Sequence, residues 1–135
     1  MDLTKPILLE FPKIKDPRGN LTFLQSPEQV PFAIERVFWT YDVPGGEQRG
    51  GHAYKTQMEI IIALSGSFDV VVTHRNGTST KYHLNRSYYG LYLPPLTWRH
   101  MENFSTNSLS LHLSSQKYSA EDYLWNFGDF TSGIE

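Results

Sequence analysis

The feature that most constrains this chain is how often it is interrupted. Short apolar or alternating runs recur along it, and Pro, Gly or Asn-Gly signals break each one before it reaches helical length. Residues 7–11 read as an edge strand bounded by Pro6 and Pro12. Asp16-Pro17-Arg18-Gly19 reads as a turn, with residues 21–24 as the next strand. A longer strand over residues 33–43 puts Ile34, Arg36 and Phe38 on one face and Val37, Trp39 and Tyr41 on the other. Arg36 in such a strand points either into a polar lumen or to a rim. Residues 59–64 are apolar and β-branched after the first, as in a buried strand, and the segment 67–74 follows the Gly66 turn. Asn76-Gly77 is a hairpin signal. Residues 80–84, 89–93 and 108–113 continue the series. In the last of these Leu109, Leu111 and Leu113 alternate with Ser110, His112 and Ser114. Only the tail carries a helical pattern, with Ser119 as cap, Glu121 and Asp122 in the first turn, and Tyr123, Leu124, Trp125 and Phe127 as a stripe. Many short strands and one terminal helix indicate an all-β sandwich or barrel, with one domain over residues 1–135.

Composition removes several function classes. There is no cysteine, hence no disulfide framework and no thiolate zinc site. Twelve basic and fourteen acidic side chains give a net charge of −2, which argues against nucleic acid or a membrane surface as the main partner. The first six residues lack a signal-peptide core, and no apolar run is long enough to span a bilayer, so a soluble cytoplasmic protein is expected.

The densest motif runs from Gly46 to Gly66 with the spacing G-x5-H-x-Y-x4-E-x6-G, carrying His52, Tyr54 and Glu59. It resembles the first cupin motif at every position but one, Tyr54 standing where a second histidine is usual. The second cupin motif is matched more weakly, by Pro94 and Asn103, and its ligand histidine falls on Arg99. The four ligand positions therefore read His52, Tyr54, Glu59 and Arg99. A guanidinium has no free lone pair for a metal, so no bound transition metal is expected. Shifting the register by one would bring in His100, but alternation turns it to the other face.

A closer resemblance covers residues 8–130. Asp16-Pro-Arg18-Gly19, Arg36-Val37-Phe38, Arg49-Gly50, His52-Ala53, Lys55, Gly66-Ser67, Gly90-Leu91-Tyr92, Trp98-Arg99 and Glu121-Asp122-Tyr123 are together similar to the WxcM-like dTDP-4-oxo-6-deoxyglucose 3,4-ketoisomerases. The resemblance implies a cupin-type double-stranded β-helix, or jelly-roll barrel, with a short C-terminal helix. It also implies a homodimer extended through the N-terminal strand, no cofactor, and a nucleotide-linked deoxysugar as ligand. The implied reaction moves a ketone between C4 and C3 through an enediol. His52 would be base or proton shuttle, Tyr54 the acid with its pKa lowered by a nearby arginine, and Arg99 a third catalytic group. Arg18, Arg36, Arg49 and Lys55 would hold the phosphates, and Glu59, Tyr92, Trp98 and His100 would complete the binding site. His74, His83 and His112 read as structural or surface residues. The chain departs from the family at Tyr54, at Phe38 (commonly Tyr) and at Glu59 (usually Gln). The competing readings are a sugar 3,5-epimerase and a non-catalytic sugar-nucleotide binding module.

Overall fold

The computed structural model describes residues 1–132. Its strands are β1 (Ile7–Glu10), β2 (Lys13–Ile14), β3 (Leu21–Thr22), β4 (Arg36–Tyr41), β5 (Arg49–Tyr54), β6 (Glu59–Ser65) and β7 (Phe68–Thr73). They continue with β8 (Ser79–Leu84), β9 (Tyr89–Leu93), β10 (Trp98–Glu102), β11 (Leu109–Ser114) and, after a 3₁₀ turn at Ala120–Asp122, β12 (Tyr123–Leu124). One short helix, α1 (Phe127–Ser132), follows. The strands form two five-stranded antiparallel sheets, ordered β1-β9-β6-β11-β4 and β12-β5-β10-β7-β8, with β2 and β3 as a small ribbon beside them. This is the all-β architecture expected from the strand series, in the jelly-roll form that the family resemblance implies. No helix among the described residues is long and apolar enough to cross a membrane.

The run Ile60-Ile61-Ile62-Ala63 is fully buried because its sheet is covered on both faces. Ile61 and Ala63 point between the sheets, against Phe68, Val70, Val72, Leu91, Leu93 and Met101. Ile60 and Ile62 point outward, where Val30, Phe32, Leu9 and Phe11 from the N-terminal segment cover them with Tyr92 and Leu113. Two glycines permit the close approaches this needs. A Cβ on Gly90 would lie 2.9 Å from Ile62 and 3.0 Å from the Ile61 carbonyl. At Gly66, where φ is +68°, a Cβ would lie 2.8 Å from the Ser108 backbone.

The C-terminal reading needs correction. A continuous helix from Ser119 does not form, and the Ser119 side chain makes no capping hydrogen bond. Tyr123 and Leu124 instead pair with Tyr54 and Ala53 of β5, and the helix begins only at Phe127. The stripe of large apolar residues is used as a strand because the edge of β5 offers unpaired backbone groups there.

Candidate active site

Between the two sheets, beyond the core, lies a cavity of about 200 Å³ lined by Arg49, His52, Tyr54, Glu59, Arg99 and His112, among others. Local strand geometry brings these groups together. His52 and Tyr54 are two apart on β5 and share its inner face. Arg49 is three residues from His52, so a regular strand would turn it outward. A bulge prevents this: Arg99 is paired with His52 and Met101 with Arg49, so three steps on β5 match two on β10. Gly50, at φ +77°, sits in the bulge and supplies the left-handed backbone. On β10 Arg99 and Met101 are buried and inward, while Trp98, His100 and Glu102 take the other face. From β11 comes His112, on the polar face shared with Ser110 and Ser114, all three buried.

The electrostatic centre is Arg99, 1% exposed. Its Nη1 lies 2.5 Å from Glu59 Oε1, and its Nε donates to the Thr97 carbonyl at 3.1 Å. Glu59 is equally buried, and its second oxygen lies 3.3 Å from His112 Nδ1. Burial favours the neutral acid at Glu59, but Arg99 and His112 outweigh it and hold the carboxyl down at about 2. His52 stands in an aromatic frame, its ring centre 4.7 Å from Tyr54, 5.0 Å from Tyr123 and 5.7 Å from Trp125. Burial, followed by the Arg99 charge, lowers its pKa to about 3, so the imidazole is neutral at physiological pH.

Tyr54 departs from expectation. Arg99 does lie over its ring, at 4.9 Å, but burial and then the Glu59 charge push its pKa up. Tyr54 therefore keeps its proton and serves as a hydrogen-bond donor, neither the acid that was expected nor a base. Its hydroxyl donates to Tyr123 at 3.4 Å and lies 3.5 Å from Arg36 Nη2. Arg36 also donates to Gln57 Oε1 at 3.0 Å, so it belongs to the lumen and not the rim.

Five sequence-derived site residues lie elsewhere. Arg18 is exposed at the turn before β3, paired with Asp16. Lys55 is exposed and outside the cavity lining. Tyr92 is fully buried on the outer side of β9, where its hydroxyl donates to the Leu3 carbonyl at 3.0 Å. Trp98 packs on Phe127 and Phe130 behind β10. His100 lies 2.8 Å from Glu102 on that same outer face. Alternation on β10 turned Trp98 and His100 away, and the apolar cover over the first sheet claimed Tyr92.

His112, Tyr123 and Trp125 also line the cavity, although the sequence reading did not place them in a site. The alternation of β11 was visible, but which face meets the lumen depends on strand order. Tyr123 and Trp125 stack at 4.5 Å and wall the cavity because Asp122 anchors their segment. The buried Asp122 carboxylate accepts from Thr56 N at 3.0 Å, Thr56 Oγ1 at 2.6 Å, Gln57 N at 3.2 Å and Gln57 Nε2 at 3.1 Å.

Larger hollows of about 570 and 560 Å³ lie on the outer surfaces. Neither contains the buried polar atoms that mark the inner cavity. Among the described residues, the buried side-chain polar atoms without a hydrogen-bond partner are both His52 nitrogens, Glu59 Oε2, Arg99 Nη2, His112 Nδ1 and Arg36 Nε. All but the last belong to residues lining this cavity, and Arg36 is hydrogen-bonded to its wall. Such atoms are rarely left unpaired, so the arrangement fits a small ligand rich in oxygen.

Comparison with known proteins agrees with this geometry. The family model described as FdtA, WxcM-like, C-terminal, matches residues 4–135. A TDP-4-oxo-6-deoxy-alpha-D-glucose-3,4-oxoisomerase of Aneurinibacillus thermoaerophilus is 32% identical over 127 residues, 94% of this chain and 91% of that protein. The TDP-quinovose 3,4-ketoisomerase WlaRB of Campylobacter jejuni is 36% identical, with TM-score 0.88 over 93% of this chain and 96% of that one. The sugar 3,4-ketoisomerase QdtA of Thermoanaerobacterium thermosaccharolyticum, in complex with TDP, is 30% identical, with TM-score 0.93 over 98% and 96% of the two chains.

Proposed function

The chain belongs to the WxcM-like FdtA family, and on that premise we propose that it is a nucleotide-sugar 3,4-ketoisomerase. It moves the ketone of a TDP-linked 4-keto-6-deoxyhexose from C4 to C3. The observation that carries this reading is the inner cavity, where a neutral His52 stands beside protonated Tyr54 and a buried Arg99–Glu59 pair. At about 200 Å³ it is smaller than the ~300–1,000 Å³ of sites that enclose a whole drug-sized ligand, so it takes the sugar ring and leaves the nucleotide at the rim. Arg49, exposed and lining the cavity, supports a diphosphate held at that rim.

His52 takes the proton from C3, next to the carbonyl. Its low basicity in the free site comes from burial and the Arg99 charge. As negative charge develops on the sugar oxygen, Arg99 is increasingly neutralised, and His52 gains basicity when it needs it. Tyr54 and the free Arg99 Nη2 donate to the oxygen that becomes the enediolate. The chemistry is carried by side chains, without a metal or cofactor. Arg99 occupies a cupin ligand position, and its fixed positive charge repels a cation there.

We also assign the protein to the cytoplasm, where nucleoside diphosphate sugars are made, and to a homodimer. Support for the dimer comes from β1, which is an edge strand of its sheet and presents Leu8 54% exposed. Sedimentation that detects only monomer at micromolar concentration would count against it.

Incubation with TDP-4-keto-6-deoxyglucose in D2O, followed by proton NMR, tests the activity. Exchange at C3 with a new C3 ketone is the expected result. Exchange at C3 and C5 with the C4 ketone retained would mean an epimerase, and binding without exchange would mean a binding module.

A further inference from the structure

We infer that His112, supported by Glu59, is a second catalytic group of this site and moves the hydroxyl proton between O3 and O4 of the sugar. This rests on the ketoisomerase reading and assigns within it a residue with no expected part.

Placement comes first. His112 is 3% exposed and lines the same cavity as His52, Tyr54 and Arg99. Phe38 fixes its plane by stacking at 4.4 Å with an angle of 7°. Ser110 Oγ holds Nε2 at 2.9 Å. Nδ1 has no hydrogen-bond partner, nor has Glu59 Oε2, and the two lie 3.3 Å apart. A titratable ring locked on one edge and unpartnered on the other beside a carboxylate is arranged to exchange a proton with a ligand, with the carboxylate stabilising the imidazolium that forms.

The reaction needs such a group. Converting a 4-keto-3-hydroxy sugar to the 3-keto-4-hydroxy isomer relocates two protons, from C3 to C4 and from O3 to O4. The C3–H electron pair becomes the C3=C4 bond while the carbonyl π pair moves onto O4, which takes the proton that His112 carries from O3. The O3–H proton leaves, its pair forms the C3 carbonyl, and the double bond takes a proton at C4. No atom or electron is gained or lost overall. His52 serves the carbons. Tyr54 keeps its proton, and its hydroxyl donates to Tyr123 and accepts from Arg36 Nη2, so it does not take up the O3 proton. His112 can receive the O3 proton at Nδ1 and return it to O4. Glu59 supplies the negative charge that a neutral glutamine at this position would lack.

The test uses His112→Asn, which keeps a polar atom near the place of Nδ1, and His112→Gln, which keeps one near Nε2. His112→Leu, apolar and of similar size, is the third variant, serving if neither of the other two folds. Each is checked by thermal melting and TDP binding, then given TDP-4-keto-6-deoxyglucose in D2O while C3 deuteration and ketone position are followed by NMR. The expected result is C3 exchange within about threefold of wild type, KM little changed, and formation of the 3-keto product slower by at least about 10²-fold. Near-wild-type product formation in any folded variant would overturn the inference. So would an equal loss of exchange and product formation in a variant that still binds TDP. A wild-type protein that neither exchanges C3 nor moves the ketone would overturn the ketoisomerase reading itself, and this assignment with it.

Discussion

His52, the proposed base, has a resting pKa far below neutrality, and the value is informative because the charge part of its cause is reversible. Burial excludes water, and Arg99 repels a second positive charge. Only a developing anion at the sugar removes the latter effect. His52→Asn should therefore lower kcat by about 10²–10⁴-fold, the usual contribution of a general base. TDP binding, measured by calorimetry, should stay within a few-fold, because the phosphates are held away from the ring. Near-wild-type turnover would place the base elsewhere. Arg99→Met should be costly in a different way. It strands the buried Glu59 carboxylate beside an apolar side chain and should destabilise the fold by about 3–5 kcal/mol, read from urea unfolding. Loss of less than about 1 kcal/mol would show that the pair is not buried as described. His52, Tyr54, Glu59 and Arg99 were legible in the sequence because they fall on the ligand positions of the two cupin-like motifs. His112 was not, because its partner Glu59 is on β6 and the two meet only through strand pairing.

At the level of elements, the site depends on two irregular features. One is the Gly50 bulge, which lets Arg49 and His52 face the same way. The Gly-rich stretch before His52 was legible as a loop, but its role as a bulge depends on the partner strand. The other is the segment 119–125, whose stripe of large residues read as helix. Its register against β5 is set by Asp122, which gathers the backbone and side chains of Thr56 and Gln57. Gln57 in turn accepts from Arg36, which reaches Tyr54. Asp122→Ala should release Tyr123 and Trp125 from the cavity wall and leave buried donors unpaired, costing at least about 2 kcal/mol. KM should rise more than kcat falls. A variant with unchanged melting temperature and KM would show that the segment docks without this carboxylate.

For the whole molecule, the buried charges give a predictable pH dependence. The folded pKa values of His52 and Glu59, about 3 and about 2, lie below their ordinary values of 6.5 and 4.5. In both intervals the unfolded chain binds more protons than the folded one. The stability these groups contribute is therefore fully present above about pH 6.5 and is lost as the pH falls, first through His52 and then also through Glu59. One proton corresponds to at most about 1.4 kcal/mol per pH unit. Urea midpoints should fall between pH 7 and pH 4.5, and His52→Gln should flatten that interval. A wild-type profile that does not change over this range would mean that His52 is not held neutral by the fold. The all-β class was legible from the turn spacing, which left sandwich and barrel open, and the jelly roll was legible only through the family resemblance.

The central claim is that this cavity transfers a ketone between adjacent carbons, and a substrate labelled with carbon-13 at C4 tests it most directly. With purified wild-type protein and C4-labelled TDP-4-keto-6-deoxyglucose, the labelled signal should move from the carbonyl region of the carbon NMR spectrum to that of a hydroxyl-bearing carbon. Loss of this conversion is expected in His52→Asn. A label that remains in the carbonyl region after prolonged incubation with folded, TDP-binding protein would contradict the account.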